Sequence, residues 1–193
     1  MQTLQFKVKK DRVSLDVTGS VLTLGFKCGN FAITINRQGS LDIINNQNSD
    51  LLLFTGDIVN NMASEMDNWI EMFSSLRAPF GKYSVLGNHD YAEYIRGISK
   101  EEKILQFQEI KKIHPKIGFD LLCNENRYIE KDGQKISLIG VENWGKNFKQ
   151  AGDLTKASDG INKEDFKILM SHDPSHWDAE VKQDDFNYHL TLS

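Results

Sequence analysis

The stretch LLLFTGD, Leu51 to Asp57, decides how this chain is read. An uncharged run from Leu51 to Thr55 stops abruptly at a glycine and a carboxylate. A run that is apolar throughout, instead of alternating, suits a strand covered on both faces, as in a parallel sheet. Two later runs end in the same way. Tyr83 to Leu86 leads into Gly87-Asn88-His89-Asp90, and Phe166 to Met170 leads into Ser171-His172-Asp173. Between the first two lies Met62 to Leu76, where Met62, Met66, Trp69, Ile70, Phe73 and Leu76 recur at helical spacing. Strand, helix, strand within about thirty residues is the signature of a βαβ unit. The expected fold class is therefore α/β.

Further elements extend this frame. Val21 to Leu24 and Phe31 to Ile35 read as strands, and Leu41 to Gln47 closes a helix. Ser99 to His114 reads as a second helix, with Ile104, Phe107, Ile110 and Ile113 facing inward. Arg127 to Glu130 and Ile136 to Val141 read as a hairpin joined at Asp132-Gly133. Tyr188 to Leu192 reads as the last strand. There is no internal repeat or low-complexity tract, and only three prolines. Residues 1–193 are read as a single domain, with 1–20 as a divergent N-terminal segment.

Composition narrows the function. The chain has 193 residues, 39% of them hydrophobic, which allows one domain with a substantial core. Its net charge is -4, and the richest basic run, Lys7 to Arg12, is short and broken by an acid, so no nucleic-acid patch is expected. The two cysteines, Cys28 and Cys123, form no CxxC pair, which argues against a zinc knuckle or a disulfide framework and favours a reducing, cytoplasmic setting. No apolar run approaches the length of a membrane span. There is no Walker-type phosphate loop and no GxSxG nucleophile motif.

The chemistry is concentrated at the strand ends. In open α/β sheets, ligands bind outside the carboxyl ends of the strands. Gly56-Asp57, Gly87-Asn88-His89-Asp90 and Ser171-His172-Asp173 all fall there. Each alone reads as an ordinary turn. Together they offer carboxylates, an amide oxygen and imidazoles, a mixed oxygen and nitrogen set that suits manganese, iron or zinc. With no thiol or serine placed as nucleophile, metal-activated water is the natural attacking group. Elsewhere, His114 is read as solvated near a helix end, and His189 as structural. His176 is read as packing or capping the ligand loop. Trp144 sits in a loop that would reach the site rim.

The segments FTGDIVNN (54–61), VLGNHDY (85–91) and LMSHDPSHW (169–177) resemble the motifs of calcineurin-like metallophosphoesterases, as do LLCNE, LIGVENWG and HLTLS. The resemblance runs from about Val21 to the end and points to a bacterial branch. It implies a four-layer α/β/β/α sandwich, two divalent metals and a phosphorylated substrate. It implies that Asp57 bridges the metals and that Asn88 and His172 ligate the second one. His89 would contact the phosphate and assist the leaving oxygen, and Asp90 would position His89.

Two pieces of the family pattern have no match. The D-x-H motif expected after the first strand is missing. If Val21 to Leu24 is that strand, Gly25-Phe26-Lys27 takes the motif's place and the spacing to Asp57 is kept. If Asp16-Val17-Thr18 takes it, the interval is too long. The G-H-x-H motif expected after HLTLS would begin where the chain stops, at Ser193, so the fold is expected to be truncated there. On this reading the chain holds at most one metal well and turns over poorly. Branches of the family are membrane-anchored, so a longer, membrane-associated parent stays open.

Overall fold

A computed structural model describes residues 5–9, 12–17, 19–24, 41 and 44–193, the first three segments as backbone only. Two sheets form the centre. The first has six strands in the order β1(Gln5–Lys9), β2(Arg12–Val17), β3(Gly19–Leu24), β4(Leu51–Phe54), β5(Lys82–Ser84) and β6(Asp120–Leu121). β1, β2 and β3 pair antiparallel, whereas β3 to β6 run parallel. The second sheet has the order β10(Leu190–Leu192), β9(Phe166–Met170), β8(Gln134–Gly140) and β7(Glu125–Lys131), parallel except for the β7–β8 hairpin.

The period of two along each strand sorts its side chains into layers. In β4, Leu52 and Phe54 join a cluster with Ile110, Ile113 and Ile117 of the helical layer. Leu51 and Leu53 face the other way, into a cluster with Val85, Leu138, Ile168 and Met170 between the sheets. In β8 and β9, Ile139 and Leu169 face outward against Leu154, Ala157 and Val181. Three apolar layers between four structural layers are the α/β/β/α sandwich that the resemblance implies.

The helices are α1(Ile70–Ser74), α2(Lys100–Lys116), α3(Leu154–Ala157) and α4(Ser175–Ala179). α2 begins where Ser99 and Glu102 cap each other, the Ser99 Oγ accepting from the Glu102 amide at 3.1 Å. It ends before Gly118, whose φ of +79° turns the chain into β6. The β7–β8 turn falls at Asp132-Gly133, both with positive φ, as a two-residue hairpin loop requires.

Several expectations are corrected. Met62 to Leu76 is not one helix: a 3-10 turn at Ala63–Met66 precedes the short α1. Met66, Trp69, Ile70, Phe73 and Leu76 still pack inward, whereas Met62 is 40% exposed, and Glu65 sets the turn by accepting from the amides of Asn60, Asn61 and Met62. Ile104 is 60% exposed, whereas Ile110 and Ile113 are buried. His114 is fully buried, with Nδ1 2.9 Å from the Ser84 hydroxyl. Burial, aided by the charge of Lys111, pushes it down to a pKa of about 3. Within the segment expected to be divergent, β1 and β2 extend the first sheet; the alternation of Phe6 and Val8, and of Val13, Leu15 and Val17, is the period-two signal for them. The strand expected at 31–35 lies outside the described residues.

Candidate metal and phosphate site

The carboxyl ends of β4, β5 and β9 converge between the two sheets. After β4 the backbone reverses at Gly56, φ +104°, and Asp57, φ +60°. Glycine is required first, because a Cβ at Gly56 would lie 2.5 Å from the Gly87 nitrogen. The two site loops therefore touch backbone to backbone. Asp57 is held in the left-handed region, which short polar side chains tolerate best.

Asp90 fastens these loops together. Its carboxylate is fully buried and accepts from the amides of Gly87 (2.8 Å), Asp57 (2.9 Å), Ile58 (2.9 Å) and Val59 (3.4 Å). Burial pushes its pKa up to about 7, against the pull of these amides and with the Asp57 charge adding to the rise. The expected contact with the His89 ring is not made. That ring is set instead by the Asn60 carbonyl, 2.6 Å from Nδ1. A carbonyl only accepts, so Nδ1 carries the proton and Nε2 is left for a ligand.

The expected ligands meet. Asp57 uses Oδ1 to accept from the His89 amide at 3.0 Å. Its Oδ2 lies 3.3 Å from His172 Nε2, which in turn lies 3.2 Å from Asn88 Oδ1. His172 Nδ1 lies 2.7 Å from the Thr55 carbonyl and must donate to it, so the neutral ring presents a bare Nε2. Asn88 donates its amide nitrogen to the Tyr94 hydroxyl at 2.8 Å, which turns Oδ1 toward His172. Asp57 Oδ2 and Asn88 Oδ1 thus both lie against His172 Nε2, and a cation relieves the contact of these acceptor atoms. A proton is one answer. Burial lowers the basicity of His172, but the hydrogen bond and charge of Asp57, with the Thr55 carbonyl, outweigh it and hold its pKa above the ordinary value.

A metal ion is the other answer. Donors about 2.1 Å from one ion stand about 3.0 Å apart in octahedral and about 3.4 Å apart in tetrahedral geometry. The separations of 3.2 and 3.3 Å fall between these limits. A histidine that donates its other N–H to a backbone carbonyl is also the usual support for a metal ligand. Donor chemistry and spacing therefore fit a single divalent ion. Among the described residues, no three His, Cys, Asp or Glu side chains cluster in this way, so the set depends on the Asn88 amide.

The remaining expectations divide. Gly25 to Lys27 lie outside the described residues, as does Cys28. The parallel pairing of Leu24 with Phe54 puts the carboxyl end of β3 at the same edge as that of β4. Asp16 and Val17 instead pair with Ser20 and Gly19 at the opposite end of β3, which removes the competing register for the missing motif. His176 is fully buried, bonded to Ser171 Oγ at 2.9 Å and to Glu180 at 3.2 Å, and stacked on Trp144. It braces the turn after His172, and Trp144 packs there instead of facing the site. His189 stacks on Phe166 and accepts from the Lys167 amide. Cys123 is a free thiol, pushed by burial up to a pKa of about 11. No signal in the sequence points to Tyr94, because a tyrosine six residues after Asn88 matches no motif spacing.

Comparison with known proteins gives the family of the chain. The family model described as calcineurin-like phosphoesterase matches residues 28–192. The uncharacterized metallophosphoesterase YkuE of Bacillus subtilis is 30% identical over 78% of this chain and 48% of its own length. The UDP-2,3-diacylglucosamine pyrophosphatase LpxG of Chlamydia muridarum is 47% identical, over only 24% of this chain and 14% of its own. The NAD nucleotidase of Haemophilus influenzae superposes with a TM-score of 0.39 and 18% identity, covering 69% of this chain and 27% of that one. The chain spans about half the length, or less, of the curated relatives it matches. Among the described residues, no helix is long and apolar enough to cross a membrane.

Proposed function

This chain belongs to the calcineurin-like phosphoesterase family, and on that premise we propose a metal-dependent hydrolysis of a phosphomonoester or phosphodiester, impaired in the chain as it stands. The family implies divalent metal ions and a phosphorylated substrate. The observation that carries the reading to this chain is that His172 Nε2 lies 3.3 Å from Asp57 Oδ2 and 3.2 Å from Asn88 Oδ1 while its Nδ1 is turned to the Thr55 carbonyl.

Asp57, Asn88 and His172 would hold one ion of manganese, iron or zinc. Bound there, the metal supplies a Lewis acid for the phosphate and a water of lowered pKa. The protein's own residues do the rest. Thr55 fixes the tautomer of His172, and Tyr94 fixes the direction of Asn88. Asp90 holds the Asp57 and Gly87 loops in register through four amides. His89, tethered through Nδ1, turns Nε2 toward the phosphate, and in its doubly protonated form would donate the Nε2 proton to the leaving oxygen. Impairment is read from the first motif, where Gly25 and Lys27 stand in place of the expected D-x-H carboxylate and histidine. The same substitution favours a second reading, a phosphate-binding descendant without turnover.

Hydrolysis of p-nitrophenyl phosphate and its bis-ester, with manganese and after chelation, tests the proposal. Weak hydrolysis is expected, lost on chelation and lost in His89→Ala while manganese stays bound. Binding of inorganic phosphate with no hydrolysis in either state selects the second reading. Two tightly held metals with fast turnover overturn the impairment, and hydrolysis indifferent to chelation overturns the metal dependence.

A further inference from the structure

A groove of about 620 Å³ opens beside the site, lined by Glu93, Tyr94, Asn147, Phe148, Lys149 and Gln150. Both of its walls are anchored to the site itself. On one side, the Tyr94 ring lies 4.7 Å from the His89 ring, and its hydroxyl holds Asn88. On the other, the loop carrying Asn147 to Gln150 is tied to the turn that follows His172. The Lys146 amide donates to Ser175 Oγ at 3.0 Å, Trp144 stacks on His176, and Gly145 packs against Asp173. Glu93 and Lys149 pair across the groove at 3.4 Å. A molecule with its phosphate at His89 has this groove as its immediate neighbour.

The lining is unusual for solvent-facing surface. Tyr94 is 41% and Phe148 50% exposed, two of the few large apolar side chains left open among the described residues. Neither ring contributes to the apolar clusters that hold the fold. Their neighbours are two amides, one carboxylate and one ammonium. Aromatic faces with adaptable hydrogen-bonding groups around them suit a planar heterocycle bearing hydroxyls. They do not suit an acyl chain, which needs a continuous apolar channel and no ion pair across it.

Resting on the phosphoesterase reading, we propose that this groove receives the nucleoside of a nucleotide substrate. The base stacks on the Phe148 and Tyr94 rings, Asn147 and Gln150 read its edges, and Glu93 accepts from the sugar hydroxyls. Lys149 lies over the Tyr91 ring at 5.8 Å and adds positive charge beside the phosphate path.

Binding to the whole 193-residue chain in manganese, followed by calorimetry, tests this with four probes: AMP, ribose 5-phosphate, inorganic phosphate and adenosine. AMP is expected to bind about ten-fold or more tighter than ribose 5-phosphate, the ratio that stacking of one base supplies. Phe148→Ala should remove that advantage and leave ribose 5-phosphate unchanged. Because Phe148 is half exposed, this variant keeps the fold. Equal affinities for AMP and ribose 5-phosphate overturn the proposal, as does a Phe148→Ala loss shared equally by both. The adenosine arm separates the two readings. If no phosphate probe binds yet adenosine does, weakened by Phe148→Ala, the groove stands and the phosphoesterase reading fails. If phosphate binds and the base adds nothing, the groove assignment fails alone.

Discussion

Replacing Asp90 by alanine should cost the fold about as much as losing a core side chain, though no apolar contact is removed. The carboxylate accepts from four backbone amides, three of them at 2.8 to 2.9 Å, and it is fully buried. Hydrogen bonds to a charged acceptor contribute roughly 1.5–3 kcal/mol each, so the three short ones contribute about 4–9 kcal/mol before desolvation is charged against them. Keeping a carboxylate buried costs several kcal/mol. Alanine removes that cost but leaves the amides of Gly87, Asp57 and Ile58 unpaired unless water enters the small cavity. These opposing ranges do not fix the net by subtraction; with three amides left unpaired the expected loss is about 3–4 kcal/mol, the low end of the cost of removing one partner of a buried charged group. For a chain of this size that lowers the melting temperature by about 6–16 °C. Urea denaturation at pH 8, followed by tryptophan fluorescence and far-ultraviolet dichroism, measures it. A loss under about 1 kcal/mol would refute the reasoning, since it would mean that the two loops are held by something other than this carboxylate.

Three further outcomes follow from the same geometry. His114 titrates at about 3 when folded against 6.5 when free, so the unfolded chain takes up a proton that the folded chain refuses. Its contribution is constant above about pH 7 and falls as pH drops from 6.5 toward 3. Wild type should therefore lose about 2 kcal/mol more than His114→Gln between pH 8 and pH 5. The comparison is a difference between proteins because Asp90, raised to about 7, titrates in the same window with opposite sign. A flat difference across that range would rule out a buried neutral His114. Gly87→Ala should cost about 2 kcal/mol and abolish manganese binding, since its Cβ would sit 2.6 Å from the Asp57 nitrogen and 2.7 Å from the His172 ring. Unchanged metal affinity would contradict the close approach. Tyr94→Phe should weaken manganese binding about ten-fold with stability unaltered, because it removes only the hydroxyl that orients Asn88. An unchanged affinity in titration calorimetry would show that Asn88 needs no such support.

The parts of the fold legible in the sequence are those where burial on both faces leaves a run with no alternative. Leu51 to Phe54 and Phe166 to Met170 are such runs, and the strands fall there. The hairpin was legible because Asp132-Gly133 satisfies a specific backbone requirement. Met62 to Leu76 misled because helical spacing records only which residues face inward. A turn followed by a short helix buries the same face, and Glu65, which sets the break, sits on the polar side. His114 misled because burial of a polar ring depends on Ser84, thirty residues away, which no local pattern reveals. At the site, the residue types were legible but not their wiring. Asp90 was expected on His89 and instead holds backbone amides, a role set by how closely Gly56 and Gly87 approach. Tyr94 was not foreseen, since its part depends on the loop that follows the GNHD turn folding back over Asn88.

The central claim is that Asp57, Asn88 and His172 together hold one divalent ion. Equilibrium dialysis against manganese, with the metal counted per chain, tests it most directly when wild type is compared with Asp57→Asn, Asn88→Ala and His172→Ala. One ion per wild-type chain is expected and none in any of the three variants, each still folded by dichroism. Manganese retained equally by all four proteins, or by none, would contradict it.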